Sequence, residues 1–243
     1  MDKVNILGVG VDMVTIEQAA DRIVGFLEEG GMHSVYTPNS EIIMLGYQNL
    51  EFADLLNRAD LLTADGIGVV YASRILKKPL SERAAGYDIA CRVMEKIKST
   101  NHSIFLFGGK PGVAEDAKRN LEDRYPGLRI AGMRNGYFKP GEEAEIIEEI
   151  NASGADLLFV CLGAPKQEEW IDRNREGLSV GAALGIGGSL DVFAGHVQRA
   201  PKFWCSIGME WFYRLIKEPW RIGRMMALPK FAWTVLRKGK KNQ

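Results

Sequence analysis

The chain has 243 residues, 46% of them hydrophobic and 26% charged, and its 31 Lys/Arg balance 31 Asp/Glu. That composition excludes a disordered chain and fits one large domain, or a domain with an appendage. The three widely spaced cysteines, Cys91, Cys161 and Cys205, exclude a disulfide framework and read as core or interface residues of a reducing compartment. The longest stretch without Asp, Glu, Lys or Arg is residues 177–190, whereas a spanning helix needs roughly 18 or more apolar residues. No basic segment with a cleavage site opens the chain, so neither a signal peptide nor a bilayer crossing is expected.

In chain order, GVGVDM (8–13) begins like a dinucleotide fingerprint but has Met13 where the third glycine belongs, which leaves the signal weak. Thr15 and Gln18 have capping-box spacing and predict a first helix. HSVYT (33–37) reads as a strand, followed by a helix from Ser40. DLLTA (60–64) reads as another, followed by Asp65, Gly66 and a helix. An aspartate there either caps that helix or does chemistry, and the spacing leaves both open. HSIFLFGG (102–109) leads into a helix over 111–125, with Pro111 at the favoured first position. Its Gly108-Gly109 turn serves either close packing or a nucleotide phosphate or ribose at the helix start. LRIAGM (128–133) precedes the turn NGYF (135–138), where Tyr137 packs or stacks on a base, and then a helix over 141–153. ADLLFVCLG (155–163) precedes a helix over 165–176. Glu168 and Glu169 suit the dipole there, and Gln167 is placed to hydrogen-bond a sugar or base. VGAALGIGG (180–188) closes the series, with Gly187 in the turn and Asp191 beyond it as a turn former or an acceptor for ribose hydroxyls.

Repeated strand–helix units predict an α/β, Rossmann-like fold, a mainly parallel sheet with helices on both faces. Its strands are near-continuous apolar runs, as buried parallel strands are, and ligands bind beyond their carboxyl ends. No Walker loop, no two aspartates at i, i+2 and no GxSxG occur. His33, His102 and His196 lack ligand spacing and read as structural or surface, so no metal site and no cofactor are expected. No internal repeats stand out, and only residues 237–243 read as disordered.

From residue 199 onward the composition changes: eleven Lys/Arg face two Asp/Glu, and four of the five tryptophans, Trp204, Trp211, Trp220 and Trp233, lie there. We therefore divide the chain into a domain over 1–198 and a basic, aromatic helical appendage over 199–243. Trp204, Ile207, Trp211 and Leu215 share one helical face, which suits an anionic membrane surface or a subunit interface of a homo-oligomer better than nucleic acid.

Together, TPN (37–39), TADG (63–66), RAAGYD (83–88), FGG (107–109), NGYF, LGAPKQE (162–168), GIGGSLD (185–191) and RAP…EWFYRL…EPWRIGR (199–224) resemble the WecG/TagA/CpsF glycosyltransferases, glycosyltransferase family 26, over nearly the whole chain. The teichoic-acid branch is the most similar. The resemblance implies transfer of N-acetylmannosamine from UDP-ManNAc to undecaprenyl-diphosphate-linked GlcNAc, inverting and without a metal, by a peripheral protein of the cytoplasmic membrane face with a soluble pool. It makes Asp65 the general base and has Thr37 and Asn39 bind sugars. Arg83, Arg214, Arg221 and Arg224 would neutralise the departing diphosphate. Rival readings are another donor (UDP-ManNAcA or a UDP-hexose), a non-catalytic nucleotide-sugar module, or a dehydrogenase.

Overall fold

The computed structural model describes residues 2–201, 204, 212, 213, 216 and 227–238. A hairpin, β1 (Lys3–Ile6) and β2 (Val9–Asp12), precedes α1 (Ile16–Glu28), β3 (His33–Tyr36), α2 (Ser40–Gln48), α3 (Leu50–Asn57), β4 (Leu61–Leu62), α4 (Ile67–Ile75) and α5 (Gly86–Ile97). Then come β5 (Ser103–Gly108), α6 (Val113–Arg124), β6 (Arg129–Arg134), α7 (Glu143–Ala152), β7 (Leu157–Cys161), α8 (Lys166–Arg173), β8 (Ala182–Gly185) and α9 (Ser189–Phe193). A helix over Ala227–Lys238, here α10, ends the described chain.

Six strands form one parallel sheet in the order β4-β3-β8-β7-β5-β6. Alternate strand residues feed two cores. Tyr36, Leu62, Phe105, Phe107, Leu158 and Val160 meet the hairpin, α2–α4, α7, α8 and α10. Val35, Leu61, Ile104, Leu106, Leu157 and Phe159 meet α1, α5, α6 and α9. Crossovers running toward the β4 edge (β3 to β4, β6 to β7, β7 to β8) use helices of the first face, and those running toward the β6 edge (β4 to β5 through α5, β5 to β6) use helices of the second. A single crossover hand demands that division. Its consequence falls at β8. The strand leads into α9 on the second face, while its neighbours β3 and β7 lead into α2 and α8 on the first. Crevices therefore open on both sides of the β8 end.

The opposite edge carries a correspondence that the sequence reading passes over. The Ser34 N–H and Oγ donate to Asp60 Oδ2 at 2.8 and 3.2 Å, and the Ser103 N–H and Oγ donate to Asp156 Oδ2 at 2.8 and 3.3 Å. His33 and His102 each place Nδ1 3.5 Å from the same aspartate's second oxygen. Both aspartates stand in Ala-Asp-Leu-Leu segments. The same latch thus ties β3 to the start of β4 and β5 to the start of β7.

Thr15 closes the expected capping box with Gln18. Three local expectations change. The GVGVDM glycines belong to the hairpin, with Gly8 at φ 97° in its turn, so they cradle no pyrophosphate. The helix after β5 begins at Val113, because Gly112 takes a left-handed φ of 89° and Pro111 belongs to the turn before it. Arg237 and Lys238, expected to be disordered, complete α10. Phe231 and Val235 of α10 are buried in the first core.

Candidate functional site

On the β7 side of β8, a pocket of about 790 Å³ is lined by Gly109, Lys110, Gly136, Tyr137, Phe138, Lys139, Glu142, Cys161, Leu162, Gly163, Lys166, Gly187, Gly188 and Asp191. Glycines make its floor. Gly108 stands at φ 137°, and a Cβ there would lie 2.3 Å from Cys161 O. A Cβ on Gly136 would fall 2.8 Å from Leu162 Cδ2 and 3.1 Å from Gly108 Cα. The Gly136 N–H donates to Gly109 O at 2.8 Å. Three backbones thus pack too closely for any side chain, and Gly108 serves behind the wall that Gly109 lines. The Tyr137 ring is 67% exposed at the rim, and the Tyr137 N–H donates to Asn135 Oδ1 at 3.0 Å. Asp191 reaches the pocket from the first turn of α9. Burial pushes the Cys161 thiol up, so it is an inert wall residue.

The pocket also has Lys110, Lys139 and Lys166; the sequence places Lys110 and Lys166 at strand ends but assigns none of the three a role. Lys166 Nζ sits 4.2 Å from the centroid of the Phe138 ring, a cation–π contact that holds it at the rim. Three ammonium groups against Asp191 and Glu142 suit an anionic ligand. The signal was available: lysine directly follows the Gly108-Gly109 turn and Pro165.

On the β3 side, the Thr37 Oγ1 donates to Gly185 O at 3.0 Å, across the strand pair. Asn39 caps α2, its Oδ1 accepting the Glu41 and Ile42 N–H groups at 2.9 and 3.1 Å. This turns Nδ2 away from the helix. Asp65 follows β4 half-buried, and its N–H donates to Pro38 O at 3.1 Å. The N-cap position of α4 falls on Gly66 at φ 109°, which has no side chain to cap with. A Cβ on Gly66 would sit 3.6 Å from Asn39 Cβ, so the β3 and β4 ends are in contact here. Arg83 precedes α5 and donates to Asp88 Oδ2 at 3.3 Å, the oxygen that Arg199 reaches at 2.7 Å. The Thr63 Oγ1 donates to Ala84 O at 3.0 Å and pins the Arg83 loop to the β4 end.

The structure thus groups the expected residues into two clusters flanking β8: Gly109, Tyr137, Gly187 and Asp191 on one side, Thr37, Asn39, Asp65 and Arg83 on the other. Gln167 lies between them and is 3% exposed. Its Oε1 accepts the Gly187 N–H at 3.0 Å, and its Nε2 donates to Glu168 Oε1 at 2.8 Å. Its amide is therefore engaged within the protein. Arg214, Arg221 and Arg224 lie outside the described residues, as do Ile207, Trp211 and Leu215. No group of three His, Cys, Asp or Glu side chains among the described residues could hold a metal ion. No helix among them is long and apolar enough to cross a membrane.

Residues 4–243 match the model of the glycosyl transferase WecG/TagA/CpsF family. Among curated proteins, the chain is 37% identical over 212 residues to an N-acetylglucosaminyldiphosphoundecaprenol N-acetyl-beta-D-mannosaminyltransferase of Bacillus spizizenii, covering 87% of this chain and 82% of that one. A protein of the same name from Bacillus subtilis is 36% identical, over 85% of this chain and 80% of its own. One from Staphylococcus aureus is 35% identical over 242 residues, 98% of this chain and 94% of its own.

Proposed function

The chain belongs to the WecG/TagA/CpsF family of glycosyl transferases, and we propose that it transfers N-acetylmannosamine from UDP-ManNAc to GlcNAc-diphosphoundecaprenol, the reaction its relatives are named for. One observation carries the mechanism. Asp65 stands at a strand's carboxyl end with the helix cap taken by Gly66, across β8 from a cationic pocket of nucleotide size.

The pocket holds UDP, with Tyr137 against the base, Asp191 toward the ribose hydroxyls, and Gly109 and Gly187 leaving room for the backbone to approach. The sugar projects over the β8 end toward Thr37 and the Asn39 amide. The acceptor hydroxyl oxygen attacks C1 of the sugar as the bond from C1 to the diphosphate oxygen breaks. Asp65 takes the hydroxyl proton and UDP leaves with the electron pair, so one displacement inverts the anomeric centre. Lys110, Lys139 and Lys166 from the pocket, with Arg83, neutralise the charge that develops on the diphosphate. Arg214, Arg221 and Arg224 are proposed to complete that set from the appendage, which makes the reaction independent of a metal.

A lipid-linked acceptor supports a peripheral position at the membrane, proposed to be its cytoplasmic face. The exposed Trp233 and Leu236 beside Lys230, Arg237 and Lys238 support anchoring by the appendage to anionic lipid. The same apolar surface supports self-association of a soluble pool.

The test is UDP release from a panel of UDP-sugars, with a soluble GlcNAc-diphosphate lipid as acceptor and EDTA present. Release with UDP-ManNAc alone is expected. Release only with UDP-ManNAcA or a UDP-hexose would reassign the donor, and loss of release in EDTA would overturn the cationic mechanism.

A further inference from the structure

Glu168 is 1% exposed, and its Oε2 has no hydrogen-bond partner. A carboxyl buried with an unpartnered oxygen costs stability, and the partners of this one, the Gln167 amide and its own backbone N–H, leave Oε2 unsatisfied. The geometry around it has a direction. Gln167 Nε2 donates to Glu168 Oε1 at 2.8 Å, and Gln167 Oε1 accepts the Gly187 N–H at 3.0 Å. An amide has one donor end and one acceptor end. Without an acceptor at position 168, nothing on that side prefers Nε2 to Oε1, and the flipped amide would turn its own donors onto the Gly187 N–H. Space for the arrangement is cut from β8: a Cβ on Gly185 would come within 3.1 Å of Gln167 Nε2. Gly187 itself holds a left-handed φ of 54°, and with Gly188 and Asp191 it lines the pocket. From β3, the Tyr36 hydroxyl donates to Glu168 O at 3.3 Å and fixes the first turn of α8 to the sheet.

We propose that Glu168 is a positioning residue: it sets the sense of the Gln167 amide, which anchors the Gly187 turn and so shapes the wall against which the nucleotide diphosphate binds. The consequence for nucleotide rests on the pocket being the UDP site, whereas the anchoring of Gly187 does not. Burial pushes the Glu168 carboxyl up to about 7, so the neutral acid, which still accepts at Oε1, is available near neutral pH.

The test compares Glu168→Leu and Glu168→Gln with the unaltered protein. Amide exchange at Gly187 is read in the free protein, and UDP affinity is read by calorimetry. Leucine removes the acceptor while filling the space. It should expose the Gly187 amide to exchange and weaken UDP binding by roughly tenfold, the scale of one lost hydrogen bond, with a thermal midpoint that does not fall. Glutamine, which still offers an acceptor, should recover most of both. Gly187 protection that survives in Glu168→Leu overturns the proposal. So does lost protection with unchanged UDP affinity, or a loss of affinity that only follows a fall in the midpoint. Should the unaltered protein bind no UDP, the pocket assignment fails, while Gly187 exchange still decides whether Glu168 holds the turn.

Discussion

The two edges of the sheet use carboxylates in opposite ways. At the amino edge, Asp60 and Asp156 accept from the backbone and hydroxyl of the strand beside them, and each has a histidine at 3.5 Å. Arg175 adds a third partner to Asp60 at 2.7 Å. Burial raises the Asp60 carboxyl, but the Ser34 N–H and Arg175 outweigh it and hold the group below its ordinary value. At the carboxyl edge, Asp65 has left the capping position to a glycine, and Glu168 is buried with an oxygen unpartnered. A parallel sheet gains stability where its polar groups are satisfied. Ligands of such a sheet bind beyond the carboxyl ends of its strands, and carboxylates at that edge are the candidates for chemistry.

Altering one group at a time separates the two uses. The largest effect is expected from Asp65→Asn, which should lower kcat by ~10³-fold, the scale of a lost general base. Its thermal midpoint and UDP affinity should stay unchanged. A lower midpoint with little loss of rate would make Asp65 a fold residue like Asp156.

Next comes the pH dependence of stability. The Glu168 carboxyl is raised from 4.5 to about 7 in the fold, with burial the main cause and Glu169 adding to it. The folded state therefore keeps a proton that the unfolded chain has lost. The stability it contributes is full below pH 4.5 and is lost as pH rises toward 7, a decline of about 3 kcal/mol. Chemical denaturation of the unaltered protein across that window should show the decline, and Glu168→Gln should flatten it. Tyr36 from β3, whose hydroxyl burial pushes up, stays neutral there. Asp60 works in the opposite sense, its contribution being lost as pH falls through its depressed value, so acid unfolding should survive Glu168→Gln.

A smaller effect is expected at the latch. Asp156→Ala leaves the Ser103 N–H and Oγ without their partner and should cost about 2 kcal/mol of stability. UDP affinity, read by calorimetry, should be untouched. The smallest concerns the rim: Lys166→Ala should weaken UDP binding by about fivefold at low salt and less at high salt, as an exposed cation does. A salt-independent loss would mean that Lys166 shapes the pocket through Phe138 and does not bind charge.

The alternation of strands and helices was legible because buried parallel strands are apolar throughout, and the Thr15–Gln18 box marked α1 in four residues. The strand ends were legible as a ligand edge for the same reason. Other elements left no such mark. The α5 helix starts after Ala85 with no capping side chain, and only Asp88 in its first turn announces it. Asn49 ends α2 and caps α3 through its Oδ1, which makes two helices read as one. The inward turn of Gln167 was readable in principle. It lies three and four residues before the buried Trp170 and Ile171, on their face of the helix. What no spacing gives is the division of the candidates by β8, because that depends on which face each crossover takes.

The proposed mechanism is a single displacement with Asp65 as base. The most direct measurement is the anomeric configuration of the newly formed glycosidic bond, read by NMR against that of the UDP-sugar donor. The account predicts inversion. A product that retains the donor's configuration would require two successive displacements and would contradict it.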